Sequence, residues 1–274
     1  MKVARVFPTK TSMCPDDPDV YFGLPDLFTP KYDEVHISCQ FTWDVSKAKI
    51  WAELWKYHGK TKLGGVAIDG ESDQPFRAGV YLKKGITITS RGCPNSCSFC
   101  TVRSGLIEFD NFPEGNIIQD NNLLACSRGH LTKVFKMLKT QKHINFSGGF
   151  ESARVTDEIV EELRGLRIYQ IWLAYDHPNA ERSLNQAVNR LSKYFKRDKI
   201  RCYVLIGYEG DTLERAENRL RKAWEIGTLP FAMRYRTPDP SWNGTYLFKE
   251  RSWNLLARQW TRPAIIKSLN RLAP

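Results

Sequence analysis

No run in this chain approaches the ~18 consecutive apolar residues of a membrane-spanning helix. Its first residues, MKVARVFPTKTSMCPDD, hold no apolar stretch ending in a small-residue cleavage site. A cytoplasmic protein with no membrane partner is the expectation. Internal repeats and low-complexity tracts are also missing, which excludes solenoids and long disordered linkers. Cysteine is sparse: seven residues (Cys14, Cys39, Cys93, Cys97, Cys100, Cys126, Cys202), four of them dispersed, which excludes a small secreted disulfide scaffold. There is no second Cys-x2-Cys pair and no downstream His pair at finger spacing, so the usual structural zinc site lacks its ligands.

What the chain does have is length and positive charge. Its 274 residues, 42% of them hydrophobic, suit one large domain or one domain plus a small appendage. Forty-one Lys and Arg against 30 Asp and Glu give a net charge of +11. Such a field attracts nucleic acid, nucleotides or phosphorylated substrates; the plainer alternative is an ordinary basic surface.

Residues 1 to about 80 read as a short α/β unit. DEVHISCQFT (33–42) has strand character, SKAKIWAELWKYHG (46–59) places Ile50, Trp51, Leu54 and Trp55 at helical spacing, and KTKLGGVAIDG (60–70) reads as a second strand. From residue 85 strands and helices alternate. Strands are expected over 86–92, 116–125, 143–149, 168–176, 199–210 and 229–237. Helices are expected over 131–141, 156–166 (capped by Thr156), 181–195 and 211–227 (capped by Asp211, stopped by Gly227). The alternation predicts a parallel sheet with helices outside and functional loops at the strand C-terminal ends, six units being enough for a barrel that does not fully close. The tail 248–274 predicts a basic helix broken near Pro263. Its Trp253, Arg258, Trp260 and Arg262 can stack on bases, or the tryptophans can pack on the flank of the fold.

RGCPNSCSFC (91–100) carries Cys-x3-Cys-x2-Cys. Three neighbouring thiols always leave one outside a disulfide. A three-ligand catalytic zinc site remains an alternative, but an all-thiolate set suits iron–sulfur chemistry better. Three cysteines on a cubane leave one iron open to a small molecule.

This spacing after a strand, with Phe99 just before the last cysteine, resembles the signature of the radical S-adenosylmethionine superfamily, over about residues 83–240. The nearest branch is the one with a cobalamin-binding-like N-terminal region, here truncated. The resemblance implies a partial (β/α)6 barrel (83–240), a small Rossmann-like α/β appendage (1–82) and a basic C-terminal helical tail (241–274). It implies a [4Fe–4S] cluster on Cys93, Cys97 and Cys100, bound S-adenosylmethionine, and an electron donor such as flavodoxin or ferredoxin. The family cleaves S-adenosylmethionine reductively and abstracts hydrogen from a substrate.

Carried onto this sequence, the family's cosubstrate contacts fall on Phe99 (adenine), Asp120 and Asn122 (after the second strand), Ser147, Gly148, Gly149 and Glu151 (amino group), Arg154 (carboxylate), Asp176 (ribose), and Gly207 and Glu209 (beside adenine). Each has a plainer alternative: Gly148-Gly149 as a tight turn, Glu151–Arg154 as a surface ion pair, Asp176 as a helix cap, Asp120 as a strand terminator, Gly207 and Gly210 as loop glycines. The base-off cobalamin motif Asp-x-His-x-x-Gly is absent, so no cobalamin is predicted. The dispersed cysteines argue against a second cluster: Cys39 and Cys202 read as buried in strands, Cys14 and Cys126 as lying in more open settings. No catalytic residue beyond the cofactor contacts is assigned. The charge points to a nucleic acid or nucleotide-like substrate; the alternatives are epimerisation, rearrangement or methylation of a peptide or small metabolite, or a non-catalytic metal- or nucleic-acid-binding module.

Overall fold

The computed structural model describes residues 1–69, 79–102, 105–235 and 251–271. It shows a mixed α/β protein built on parallel sheets, in two compact units whose boundary falls between Ile86 and Thr87. Arg236, Thr237, Gly70, the position 240/241 and residues 248–250 and 272–274 lie outside the described residues.

The first unit holds β1 (Val3–Val6), β2 (Val20–Tyr21), β3 (Glu34–Ser38), helix α1 (Val45–Trp55) and β4 (Lys60–Gly64). The strands pair in parallel in the order β2-β1-β3-β4. Alternation sends Ala4, Val6, Val35 and Ile37 to one face, where they bury against Ala48, Trp51 and Trp55 of α1. The β3–α1–β4 crossover is the one the pattern predicts; β1 and β2 are too short for their periodicity to stand out. β4 ends at Gly64 rather than running to residue 70. Gly65 has φ +107°, and a Cβ there would meet the Cys39 carbonyl oxygen at 2.5 Å. A helical turn, α2 (Val66–Asp69), follows.

The boundary falls inside β5 (Gly85–Thr87), and the second unit goes on with a small antiparallel pair β6 (Ser90–Arg91) and β7 (Ile107–Glu108), then β8 (Gly115–Ile118), α3 (Arg128–Lys139), β9 (Ile144–Phe150), α4 (Asp157–Arg164), β10 (Ile168–Ala174), α5 (Glu181–Leu191), β11 (Ile200–Ile206), α6 (Leu213–Ile226), β12 (Leu229–Arg234), α7 (Arg251–Gln259) and α8 (Pro263–Arg271). Six strands form one parallel sheet in the order β12-β11-β10-β9-β8-β5. Among the described residues no closed barrel is found. Phe146, Ile171, Leu173, Cys202, Val204 and Ile206 share a core with Val134, Leu163, Leu184, Val188 and Leu220 of the helices. The alternate residues Ser147, Trp172, Arg201 and Tyr203 occupy the opposite face. Trp253 and Trp260 are buried in the same core, while Arg258 and Arg262 are exposed, so the tail's tryptophans pack against the fold. Its break lies where Pro263 opens α8. No described helix is long and apolar enough to cross a membrane.

Several elements differ from the sequence pattern. The run 86–92 splits, because Ser90–Arg91 leave the main sheet to pair with β7. β8 stops at Ile118, where polar side chains take over. Helix α3 starts at Arg128 because Ser127 caps it, accepting from His130 N at 3.2 Å. Thr156 caps α4 as expected. Helix α6 is capped by Thr212, which accepts from Arg215 N at 3.2 Å, not by Asp211. Asp211 instead accepts from Gly207 N (2.9 Å) and pairs with Arg219 at 2.7 Å, the side chains being 7% and 12% exposed. Gly227 ends α6 in the left-handed conformation (φ +114°). Cys14 and Cys126 are buried rather than open, and burial pushes the Cys126 thiol up to about 11.

These roles separate on mutation. Thr212→Ala should cost about 1 kcal/mol, the loss of a cap. Asp211→Ala should cost about 3 kcal/mol or more, because it strands a buried guanidinium. Urea unfolding of the two variants checks the order.

Candidate functional site around the cysteine loop

Three consecutive residues after β8 hold three consecutive parts of the loop entrance. Asp120, 2% exposed, accepts from Thr89 N (2.7 Å), Thr89 Oγ1 (2.5 Å) and Ser90 Oγ (2.7 Å). Asn121 Oδ1 accepts from Gly92 N at 3.1 Å, where the chain turns through φ +81°. Asn122 Nδ2 donates to Cys93 Sγ (3.4 Å) and to Glu151 Oε2 (2.8 Å). His130 of α3 meets Thr89 Oγ1 at 3.0 Å. Burial raises the Asp120 pKa, against the lowering influence of the Thr89 and Ser90 bonds. The neighbouring strand leaves room for this arrangement: a Cβ on Gly148 would lie 2.1 Å from the Asp120 carbonyl oxygen. Gly148 thus admits a neighbouring backbone, and Gly149 takes φ +89° beside the Tyr203 ring.

The three loop cysteines are half-buried and form no disulfide. Cys100 N donates to Cys97 O at 3.1 Å. Burial raises the Cys97 pKa, and the charges of Cys100, Cys93 and Asp176 add to it, so these four groups share one electrostatic neighbourhood. Among the described residues no group of three or more His, Cys, Asp or Glu is placed to hold a metal ion as it stands.

Glu151 sits just past the end of β9. Its Oε2 takes all three of its donors: Asn95 Nδ2 (3.0 Å), Asn122 Nδ2 (2.8 Å) and Arg154 Nε (2.8 Å). Burial opposes ionisation, but these bonds outweigh it and hold the carboxylate below its usual range. Oε1 makes no hydrogen bond among the described residues. Arg154 is therefore the ion-pair partner of Glu151. Asp176, just past β10, is pushed up to about 6 by burial, against a backbone hydrogen bond at Leu205 and the Arg219 charge. Its Oδ1 is buried without a partner, as is Asn122 Oδ1. Asp176 does not cap the next helical turn; His177 does, accepting from Asn179 N. Ser147 lies deeper, its Oγ accepting from Gln119 Nε2 at 2.7 Å. Phe99 meets Tyr208 edge-on (5.8 Å), and Tyr208 meets Tyr235 (4.9 Å). Gly207 (φ +75°) is held by Asp211, and Glu209 is exposed.

Cys93, Glu151, Asn122 and, through electrostatics, Cys97 and Asp176 thus share one region at the strand C-terminal ends. Phe99 and Tyr208 join them, Asp120 is buried below, and Gly148 and Ser147 line the adjoining strand. Sequence reasoning passed over Asn95 and Asn121. Both are small amides in polar loops, and only their place inside the motif and between two named residues marks them. The thiolate-only donor set, a carboxylate oxygen without a partner and two buried orphan oxygens fit, in kind, a cluster with a bound molecule rich in N–H and O–H donors. No family model matches this chain, and no curated protein matches it.

The raised Asp176 pKa gives a signed prediction. Its proton is held more tightly in the folded state than at the ordinary value of 3.8. The stability this confers is complete below that value and lost as pH rises through about 6. Against Asp176→Asn, which stays neutral, wild type should lose stability between about pH 4 and 7. Denaturation midpoints across that range test it; parallel curves would overturn it.

Proposed function

We propose that this protein is a radical S-adenosylmethionine enzyme with its six-stranded sheet forming a partial barrel. The observation that carries the reading is a Cys-x3-Cys-x2-Cys loop at the C-terminal end of an edge strand of a parallel sheet, with Glu151 and Asp176 at the ends of two further strands. When bound, a [4Fe–4S] cluster on Cys93, Cys97 and Cys100 supplies the electron that cleaves S-adenosylmethionine and so generates the radical that abstracts hydrogen.

The chain's own residues have distinct tasks. Asn122 donates to Cys93 Sγ and so spreads thiolate charge, one of the levers on cluster potential. Glu151, held ionised, offers Oε1 to the cosubstrate's ammonium, while Arg154 and the two asparagines fix its orientation. Asp176 offers an unpaired oxygen to ribose hydroxyls. Phe99 and Tyr208 provide an apolar wall for adenine. The +11 charge favours an anionic substrate, nucleotide-like or nucleic acid, and a flavodoxin- or ferredoxin-like protein would deliver the electron.

Anaerobic reconstitution tests this. Wild type should acquire iron and the visible charge-transfer absorption of iron–thiolate bonds, and with reductant it should release 5′-deoxyadenosine. Cys97→Ala should lose both. Glu151→Gln should keep the absorption but require about tenfold more S-adenosylmethionine, the weight of one charge-assisted hydrogen bond. An iron-free wild type, or a single zinc ion in its place, would sink the proposal.

A further inference from the structure

The face of the six-stranded sheet opposite the helices carries a buried cation that makes no ion pair among the described residues. Arg201, the second residue of β11, is 5% exposed. Its guanidinium makes no ion pair and no hydrogen bond among the described residues, and its Nε is buried without a partner. The carboxylate whose charge it feels, Asp198, is bound by Lys267 at 2.7 Å. The guanidinium carbon lies 4.6 Å from the ring centre of Trp172, a cation–π contact. Trp172 is 8% exposed, and its Nε1–H is also buried and unpaired. Its other contacts are rings: it stacks on Tyr203 at 4.2 Å and meets Phe231 edge-on at 5.6 Å.

A surface arginine needs no explanation, but a buried one left unpaired is strongly destabilising unless something outside the chain neutralises it. Two residues in cation–π contact, each with a buried unpaired N–H and one of them cationic, suit a planar or tetrahedral oxyanion. We infer that Arg201 and Trp172 form an anion-binding subsite for a terminal carboxylate or phosphate of a small organic substrate.

Strand register sets its relation to the cysteine site. Trp172 pairs with Arg201 and Ala174 with Tyr203, so Asp176, two residues further, stands level with Leu205. Leu205 is four residues beyond Arg201, roughly 13 Å along the strand at ~3.3 Å per residue. A substrate gripped by its anion at Arg201 would reach toward the cysteine loop with its other end. The burial of Arg201 favours a small molecule with a terminal anion over an internal phosphodiester of a polymer. That assignment of substrate class rests on the enzyme reading above; the anion subsite itself does not.

The test is a thermal-unfolding titration of the full chain with inorganic phosphate, and separately with acetate, at constant ionic strength. At least one anion should raise the wild-type midpoint saturably, as ligands of the folded state do. Arg201→Met should unfold at a higher temperature than wild type without anion, and its half-saturating anion concentration should rise at least tenfold. Arg201→Lys keeps the charge but loses the fork, and Trp172→Phe loses only the Nε1 donor; each should weaken anion binding several-fold in a folded protein. A wild type indifferent to both anions, or variants that respond just as it does, would overturn the subsite, as would an Arg201→Met protein that is folded but less stable than wild type. Cys97→Ala separates the two readings. Its anion response should equal wild type's. A wild type that stays iron-free yet binds phosphate sinks the enzyme reading alone, and 5′-deoxyadenosine formation by a wild type without any anion response sinks the subsite alone.

Discussion

Asp120 receives three hydrogen bonds from Thr89 and Ser90 at the point where the edge strand gives way to the cysteine loop. Because the carboxylate is buried, those donors have no water to turn to, and the entrance of the loop is tied to the end of β8. Asn121 and Asn122 extend the tie to Gly92 and Cys93. The first cysteine is therefore placed by backbone and side-chain bonds that exist without any ligand. The second and third depend on a turn closed by Cys97 and Cys100 and on the reach of Asn95 to Glu151.

The two carboxylates beside the loop are tuned in opposite directions. Glu151 has three donors converging on one oxygen, which stabilise its charge more than burial opposes it. Asp176 is pushed toward its neutral form because its lowering contacts are weaker than the burial they oppose. The same functional group thereby titrates differently at two neighbouring strand ends, because hydrogen-bond donors dominate at one and burial at the other.

Much of the second unit is legible in the sequence. From residue 143 onward each helix is long enough to show its apolar stripe, and Thr156 and Gly227 mark ends by chemistry that acts locally. The stretch from 86 to 125 is not legible in the same way. Its strands are two to four residues long, and polar side chains rather than periodicity decide where the chain turns. Asp211 looks like a cap because it precedes a helix, yet its partner Arg219 lies two turns away and outcompetes that role. The candidate site divides similarly. Cysteine spacing announces itself, whereas nothing in the run KIRCYVLIG marks Arg201, whose burial without an ion pair among the described residues is a property of three dimensions only.

The absence of a side chain at Gly148 has a further consequence for how this region can change over generations. Gly148 of β9 approaches the backbone of Asp120, just past β8, at a point three residues before Glu151 and two residues before Asn122. A side chain at position 148 would have to displace the Asp120 backbone, so the glycine itself is the fixed point of the contact. The positions free to vary singly are the exposed ones of the loop, Pro94, Ser96 and Ser98, which is where descendants of this sequence should first differ.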